Sequence, residues 1–154
     1  MRVVMTNDTG SWLLKTAVKN HLMNKGCEIL DLGTENPDQE MIYTQAGHLA
    51  AEVIQNGDAD LGVIFCGSGA GVCLAANKHK GVDAVVCESV DTARGARLIN
   101  DASILCMGAN VVPEERAKEM ADVFVKTQFA EDGDAERADR LRGYIDQIRD
   151  MEEF

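Results

Sequence analysis

Aromatic residues, basic residues and long apolar runs are all scarce in this sequence. Aromatic side chains make up 5% of the 154 residues, so the core must rest on Val, Ile, Leu, Ala and Met. Lys and Arg number 15 against 26 Asp and Glu, which gives a net charge of −11. Binding to a phosphate backbone needs clustered cations, so this balance argues against nucleic acid and against an anionic membrane surface as partners. No apolar run approaches the roughly 20 residues that a membrane span requires.

Paired cysteines and metal-ligand spacings are missing as well. The cysteines number five, which is odd, and none stands in a Cys-x-x-Cys pair. The residues that follow Met1 do not form an export signal. Together these features predict free thiols in a reducing cytoplasm. The three histidines are scattered along the chain, so the sequence predicts no metal site.

Short apolar runs alternate with helical patterns along the chain. The most apolar of five such runs is Leu61–Phe65, as a buried parallel strand should be. The predicted fold class is therefore α/β: one domain over residues 1–154, a doubly wound five-stranded parallel sheet and helices on both faces. A charged helix is predicted at about 135–151, either packed on a neighbouring subunit or solvated. In the first helix the residues predicted to share a face are Leu13, Leu14, Ala17, Val18, His21 and Leu22.

Two loops follow predicted strands at the edge where α/β sheets bind ligands. Ligands lie beyond the carboxyl ends of the strands, which here are followed by Thr6–Gly10 and by Cys66–Gly71. The glycines of the second loop let several N–H groups point at one phosphate or oxyanion. The loop has neither the dinucleotide Gly-x-Gly-x-x-Gly spacing nor the Gly-Lys-Ser/Thr ending of nucleotide triphosphatases. Cys66 is either a thiolate base or nucleophile, or a small apolar residue that closes the strand.

The glycine loop and several later segments resemble a known enzyme family. Phe65-Cys66-Gly67-Ser68-Gly69-Ala70-Gly71, followed by Ala75-Ala76-Asn77-Lys78, is similar to the ribose-5-phosphate isomerase B / galactose-6-phosphate isomerase family. Ala93-Arg94, Arg97 and Asn100-Asp101 share the resemblance. It implies a doubly wound sheet and a homodimer or dimer of dimers, with active sites where subunits meet. It also implies interconversion of an aldose and a ketose without a metal or an organic cofactor.

The resemblance also implies roles for individual residues. Cys66 would be the base that takes a proton from the carbon next to the carbonyl and returns it to the neighbouring carbon. Ser68 would add a hydroxyl, and Tyr43 and Asn100 would contact the sugar. The backbone N–H groups that would hold the cis-enediolate oxygens belong to Gly67, Gly69, Ala70 and Gly71.

The sequence departs from the family pattern where the substrate phosphate and sugar ring are handled. Asn7-Asp8 replaces the family pair Asp-His, Ile99 replaces a histidine that assists ring opening, and Asn110 replaces an arginine. Asp8 is predicted to contact sugar hydroxyls or to act as an acid–base group. In the tail, Arg140 matches the second of two family arginines and Arg137 lies one position beyond the first. The arginines left for an anionic group are Arg94, Arg97, Arg137 and Arg140.

These departures predict an atypical substrate for an isomerase. Charge-assisted hydrogen bonds to phosphate contribute about 1.5–3 kcal/mol each, so losing several argues against ribose 5-phosphate. A four-carbon sugar 4-phosphate cannot close a furanose ring and needs no ring-opening group, so it tolerates Ile99. A non-phosphorylated sugar or sugar derivative is the other option. The alternative function is that of a catalytically inactive sugar-binding or structural subunit, against which the intact cysteine loop argues.

Overall fold

The computed structural model describes residues 1–153, and all strands in this range run parallel. The strands are β1 (Arg2–Asn7), β2 (Glu28–Asp31), β3 (Leu61–Cys66), β4 (Ala84–Val86) and β5 (Ile104–Gly108). The helices are α1 (Trp12–Asn24), α2 (Tyr43–Asn56), α3 (Ala70–Ala76), α4 (Val90–Leu98), α5 (Glu114–Lys126) and α6 (Ala135–Asp150). The predicted α/β class, the five parallel strands and the double winding are confirmed.

The order of the strands in the sheet is β2-β1-β3-β5-β4. The last strand of the chain, β5, therefore lies between β3 and β4 instead of at the edge. Its register places Gly108 opposite Cys66, while β1 places Asn7 opposite Phe65 on the other side of β3. The ends of β1, β3 and β5 thus meet at the carboxyl edge of the sheet.

Each face of the sheet has its own apolar core. Residues of α1, α4 and α5, among them Val18, Ala93 and Phe124, cover one face, and residues of α2 and α3 cover the other. The second layer packs closely because Gly47 has no side chain. A Cβ at Gly47 would lie 2.6 Å from the carbonyl oxygen of Val72. This contact packs the first half of α2 directly against α3.

The buried face of α1 differs from the predicted one. Leu13 is 67% exposed, whereas Lys15, Val18 and Leu22 are buried. The apolar pattern favoured leucine over lysine for the buried position, and that expectation was wrong. A buried lysine is tolerated here because a carboxylate from β2 reaches it.

Helix α6 lies across the amino edge of the sheet and is tied to its own chain at its end. Arg149 pairs with Asp83 at 2.7 Å, and the Gly81 N–H donates to Glu152 at 2.9 Å. Within Ala135–Asp150, Leu141 alone is buried. The helix predicted at 135–151 is confirmed, with most of its surface uncovered. No helix within residues 1–153 is both long and apolar enough to cross a membrane.

Candidate active site

The two predicted loops meet where the strand order reverses. Because β2 and β3 flank β1, the crevice beyond the carboxyl ends of β1 and β3 is the switch point at which doubly wound folds bind ligands. β1 ends at Asn7 and β3 ends at Cys66. The Asp8 N–H donates a hydrogen bond to the Phe65 carbonyl at 3.0 Å. Asp8 and Cys66 therefore lie at the ends of adjacent strands, on the same edge.

The Cys66 thiol is held by a backbone amide of the glycine loop. The Gly69 N–H donates to Cys66 Sγ at 3.2 Å, and Cys66 is 4% exposed. Gly69 adopts a φ of +81°, and a Cβ there would lie 2.9 Å from Val86 Cγ2 and 3.0 Å from the Gly108 nitrogen. Only glycine fits this backbone. A sulfur that accepts an aimed N–H suits the thiolate, the form of cysteine that acts as a base or nucleophile.

The end of β5 holds the other side of the loop. The Cys66 carbonyl accepts from the Ala109 N–H at 2.8 Å, and the Gly67 carbonyl accepts from the Asn110 N–H at 3.0 Å. A Cβ at Gly67 would lie 3.1 Å from Asn110 Nδ2, so the exposed Asn110 amide covers Gly67. Gly108 also needs to be glycine, because a Cβ there would lie 2.7 Å from the carbonyl oxygen of Ser68. The loop is thus fixed by backbone contacts on both sides.

Ser68 and Tyr43 form the outer wall of the loop. The exposed Ser68 hydroxyl accepts a hydrogen bond from the Ala70 N–H at 3.2 Å. The Tyr43 ring lies over Gly71, where a Cβ would come within 2.6 Å of Tyr43 Cδ2. Both side chains are exposed, Tyr43 to 48%, so they can contact a molecule that approaches Cys66. Their predicted roles in substrate binding stay predictions.

Asn7 lies beside the crevice but its amide is engaged within the chain. It is fully buried, its Nδ2 donates to Thr34 Oγ1 at 2.7 Å and to the Asp8 carbonyl at 2.6 Å, and its Oδ1 accepts the Thr34 N–H at 2.8 Å. Asp8 is half-buried and accepts the Ser11 hydroxyl at 2.6 Å. Asn7 therefore positions the loop that carries Asp8, and Asp8 is the residue of the pair nearer to solvent.

Three residues singled out by the sequence lie at the opposite edge of the sheet. Helix α4 begins beyond the carboxyl end of β4 and ends before β5 begins, so Ile99 and Asn100 lie at the amino edge. Arg97 Nη1 donates to Asp101 Oδ1 and to the Ala102 carbonyl, both at 2.8 Å. Within one chain these residues are therefore not brought to the Cys66 loop, and the Arg97 guanidinium is committed to its own turn.

Arg94, Arg137 and Arg140 form a second group, here called the arginine cluster. Arg137 pairs with both carboxylate oxygens of Asp132, at 3.1 and 3.3 Å. The Arg137 guanidinium, together with Arg94, lowers the pKa of Asp132. Asp134 begins α6 by accepting the Arg137 N–H at 2.9 Å. An open cavity of about 330 Å³ is lined by Gly133, Asp134, Glu136, Arg137 and Arg140.

The chain matches one enzyme family along most of its length. The profile of the family described as Ribose/Galactose Isomerase matches residues 3–141. The chain belongs to this family. A 4-deoxy-4-sulfo-D-erythrose isomerase of Clostridium sp. (strain MSTE9) is 37% identical over 153 residues, 99% of this chain and 96% of the relative. A D-erythrulose-4-phosphate isomerase of Pectobacterium atrosepticum is 28% identical over 144 residues, 94% of this chain and 95% of the relative.

Solved structures agree with the family assignment. A ribose-5-phosphate isomerase B of Clostridium thermocellum has a TM-score of 0.85 and 31% identity, and the match covers 99% of this chain and 100% of that one. The proteins that match this chain over nearly its full length are thus named isomerases. The protein is an aldose–ketose isomerase of the ribose/galactose isomerase family.

The structure adds a buried ion-pair network to the isomerase that the sequence did not predict. Asp31, at the end of β2, accepts Lys15 Nζ at 2.7 Å and Lys19 Nζ at 2.8 Å. Burial alone would raise the pKa of Asp31, but the two lysines and the Gly33 N–H lower it below its ordinary value. Gly33 leads to Thr34, which binds Asn7. The network therefore positions Gly33 and Thr34, and through Asn7 it supports the loop that carries Asp8.

The isomerase also carries a thiol with a lowered pKa outside the Cys66 loop, at Cys73. A hydrogen bond with the Cys106 thiol lowers the pKa of Cys73 to about 7, against the opposing effect of burial. Cys73 is half-buried on α3, whereas Cys66 is buried, so Cys73 is the more accessible of the two thiols to a thiol reagent. Within residues 1–153, no group of three His, Cys, Asp or Glu side chains is arranged to hold a metal ion.

Proposed function

We propose that this isomerase interconverts the aldose and ketose forms of a four-carbon sugar with an anionic group on C4, by proton transfer at Cys66. The observation that carries the proposal is the Gly69 N–H aimed at Cys66 Sγ at the switch point of the sheet. No cofactor enters the proposed reaction, because the proton moves between adjacent carbons of one molecule.

The proposed proton transfer uses the loop as follows. The Cys66 thiolate removes the proton from C2 of the aldose, and the electron pair moves into the carbonyl to give a cis-enediolate. Loop N–H groups stabilise the negative oxygen, and one aimed donor contributes roughly 3 kcal/mol. The hydroxyl proton passes from O2 to O1, assisted by Ser68 or Asp8. Cys66 then returns its proton to C1, which leaves a carbonyl at C2 and the thiolate unchanged.

The length of the substrate follows from Ile99. An isoleucine cannot move a proton, so ring opening has no acid–base group at this position. A tetrose whose C4 carries a phosphate ester or a sulfonate has no free O4 hydroxyl and cannot close a furanose ring. Such a sugar is open-chain and reaches the thiolate directly.

The charge of the substrate follows from Asp8, Asn110 and the acidic neighbours of the arginine cluster. A phosphate ester carries about −1.5 to −2 charges at neutral pH, whereas a sulfonate carries one. Asn110 adds no charge and Asp8 adds a negative one, so a single negative charge suits this chain best. The relative at 37% identity is named for a sulfo-erythrose, which supports a 4-sulfonate as the first candidate. A 4-phosphate is the second candidate, favoured by the relative named for erythrulose 4-phosphate.

We propose further that the active form is a homodimer or a dimer of dimers whose sites are shared between subunits. Asn100 and Ile99 lie at the amino edge, so they can line a Cys66 site only from another subunit. The cavity at the arginine cluster is lined by residues 133–140 and includes none of the Cys66 loop. The largely uncovered α6 is suited to a partner. Five free cysteines fit a reducing cytoplasm.

A substrate panel tests the proposed function. The purified protein is assayed with 4-deoxy-4-sulfo-erythrose, erythrose 4-phosphate, erythrulose 4-phosphate and ribose 5-phosphate, and the products are followed by NMR in deuterium oxide. We expect the highest kcat/KM with the 4-sulfonate and uptake of solvent deuterium at C1 or C2. Preference for ribose 5-phosphate would contradict the proposal, and absence of exchange with every sugar would favour an inactive subunit.

A further inference from the structure

The Arg137 guanidinium is already paired within the chain by a carboxylate. Asp132 accepts Arg137 Nε at 3.1 Å and Nη2 at 3.3 Å, which occupies one edge of the guanidinium. The two side chains are 35% and 30% exposed, so the pair borders solvent but is partly shielded from it. A bidentate pair of this kind fixes the orientation of the guanidinium, and the net charge of the pair is zero.

The other charges nearby leave the arginine cluster close to neutral. The segment 132–140 contributes the four carboxylates of Asp132, Asp134, Glu136 and Asp139 against Arg137 and Arg140. Arg94, which acts on Asp132, adds a third cation, and Arg142, which donates to Asp139 at 2.9 Å, adds a fourth. Asp134 differs from Asp132 because its carboxylate caps the helix through the Arg137 N–H. Asp132 is therefore the carboxylate that bears directly on the guanidinium.

We propose that Asp132 makes the arginine cluster selective for a monoanionic over a dianionic substrate group. The proposal rests on the proposed function, and it takes the arginine cluster of a partner subunit as the place where the anionic group on C4 is held. A ligand that uses the remaining edge of Arg137 lies close to the Asp132 carboxylate. Coulomb repulsion scales with the charge of the ligand, so it is about twice as large for a phosphate dianion as for a sulfonate.

Replacing one carboxylate by its amide tests the role of Asp132. Asp132→Asn keeps the shape and one acceptor for Arg137 but removes the charge. Asp139→Asn is the matched control, because it changes the net charge of the same segment equally, lies outside the lining of the cavity, and loses only an exposed pair with Arg142 that contributes about 0–1 kcal/mol. For each protein, kcat and KM are measured with 4-deoxy-4-sulfo-erythrose and with erythrose 4-phosphate.

We expect Asp132→Asn to shift the ratio of the two kcat/KM values toward phosphate by about tenfold, mainly through KM. Asp139→Asn should leave the ratio within about threefold of the wild type, because an exposed charge outside the cavity is screened by salt. An unchanged ratio in Asp132→Asn, or an equal shift in Asp139→Asn, would overturn the proposal. Equal melting temperatures of the three proteins show that a shift does not come from unfolding of the segment.

A binding measurement separates failure of this inference from failure of the proposed function. Methanesulfonate and methyl phosphate represent the two anionic groups without a sugar, and calorimetry gives their affinities for each protein. We expect the wild type to favour methanesulfonate and Asp132→Asn to favour methyl phosphate. If no tetrose is turned over yet this inversion occurs, the proposed reaction is wrong and the selectivity stands. If the tetrose is turned over and no inversion occurs, the selectivity is wrong.

Discussion

The Cys66 loop is enclosed by its own chain, whereas the arginine cluster borders solvent. Gly69 and Gly108 lie so close to other backbone atoms that a Cβ does not fit. Arg140, by contrast, is exposed, and Arg137 is held by a single carboxylate. Side chains are thus sterically excluded at these two glycines, whereas the arginines of the cluster have room around them. Of the two parts of the proposed site, the Cys66 loop is the one fixed by backbone contacts.

The largest effect is expected from removal of the thiol. General acid–base catalysis by one side chain contributes about 10²–10⁴-fold, so Cys66→Ala should lower kcat by at least about 10³-fold. The measurement is kcat with the best tetrose of the panel, together with deuterium uptake. Cys73→Ser is the control, because it removes the thiol whose pKa is lowered to about 7 and should retain most of the activity. Exchange that persisted in Cys66→Ala would assign the base to another residue.

The next largest effect concerns the ion pair behind Asp8. Asp31→Asn leaves the buried Lys15 without a counter-charge, and breaking a buried pair costs about 3–5 kcal/mol of unfolding free energy. Urea unfolding measures this loss. Glu28→Gln is the control on the same strand, because its exposed pair with Arg2 contributes about 0–1 kcal/mol. Equal losses in the two variants would show that Asp31 does not stabilise the buried lysine.

The same pair predicts the direction of a pH dependence. The pKa of Asp31 is lowered below its ordinary value of 3.8 in the folded chain. Its contribution to stability is therefore present above pH 3.8 and is lost as pH falls through the folded-state value. The difference in unfolding free energy between wild type and Asp31→Asn should shrink in that acidic range. A difference that stays constant down to the acid transition would contradict the assignment.

A smaller effect is expected from a methyl group in the loop. Gly69→Ala forces a side chain onto a φ of +81° and against the Gly108 nitrogen, which moves the N–H away from Cys66. We expect a loss of about 10–100-fold in kcat, below the roughly 10²–10³-fold cost of removing an oxyanion donor, because the N–H is displaced and not lost. Gly95→Ala is the matched control, because a Cβ there meets no atom within 4 Å and the residue lies inside α4. Wild-type kcat in Gly69→Ala would show that the loop is more pliable than its contacts indicate.

The smallest effect is a gain. Ile99→His restores an acid–base side chain at the amino edge, where it would reach the Cys66 site of a partner subunit. We expect kcat/KM for ribose 5-phosphate to rise by less than about tenfold, because the new imidazole is not positioned by its surroundings. Ile99→Gln, of similar length and without a titratable group, should give no rise. A gain that also appears with the open-chain tetroses would argue against a role in ring opening.

Local patterns in the sequence predicted the part of the site that local structure builds. The apolar run Leu61–Phe65 and the glycines after it placed the Cys66 loop at the carboxyl edge, because a buried parallel strand and a glycine turn are both short-range features. The same reasoning could not identify the ion-pair partners of Lys15 and Arg137. Their partners, Asp31 and Asp132, are chosen by how strands and loops pack, and a one-dimensional pattern does not contain that information. Leu13 was assigned by helical spacing to the apolar face of α1, and the structure leaves it exposed.

The position of β5 between β3 and β4 has a consequence for how the active site assembles during folding. β4 has no other neighbour in the sheet, so it can join only when β5 docks against β3. The same docking brings Gly108 and the Asn110 N–H to the Cys66 loop. The site is therefore completed by a contact between residues about forty positions apart, and non-local pairing of this kind is slow to form. Recovery of activity after dilution from denaturant should accordingly lag behind the recovery of helix content.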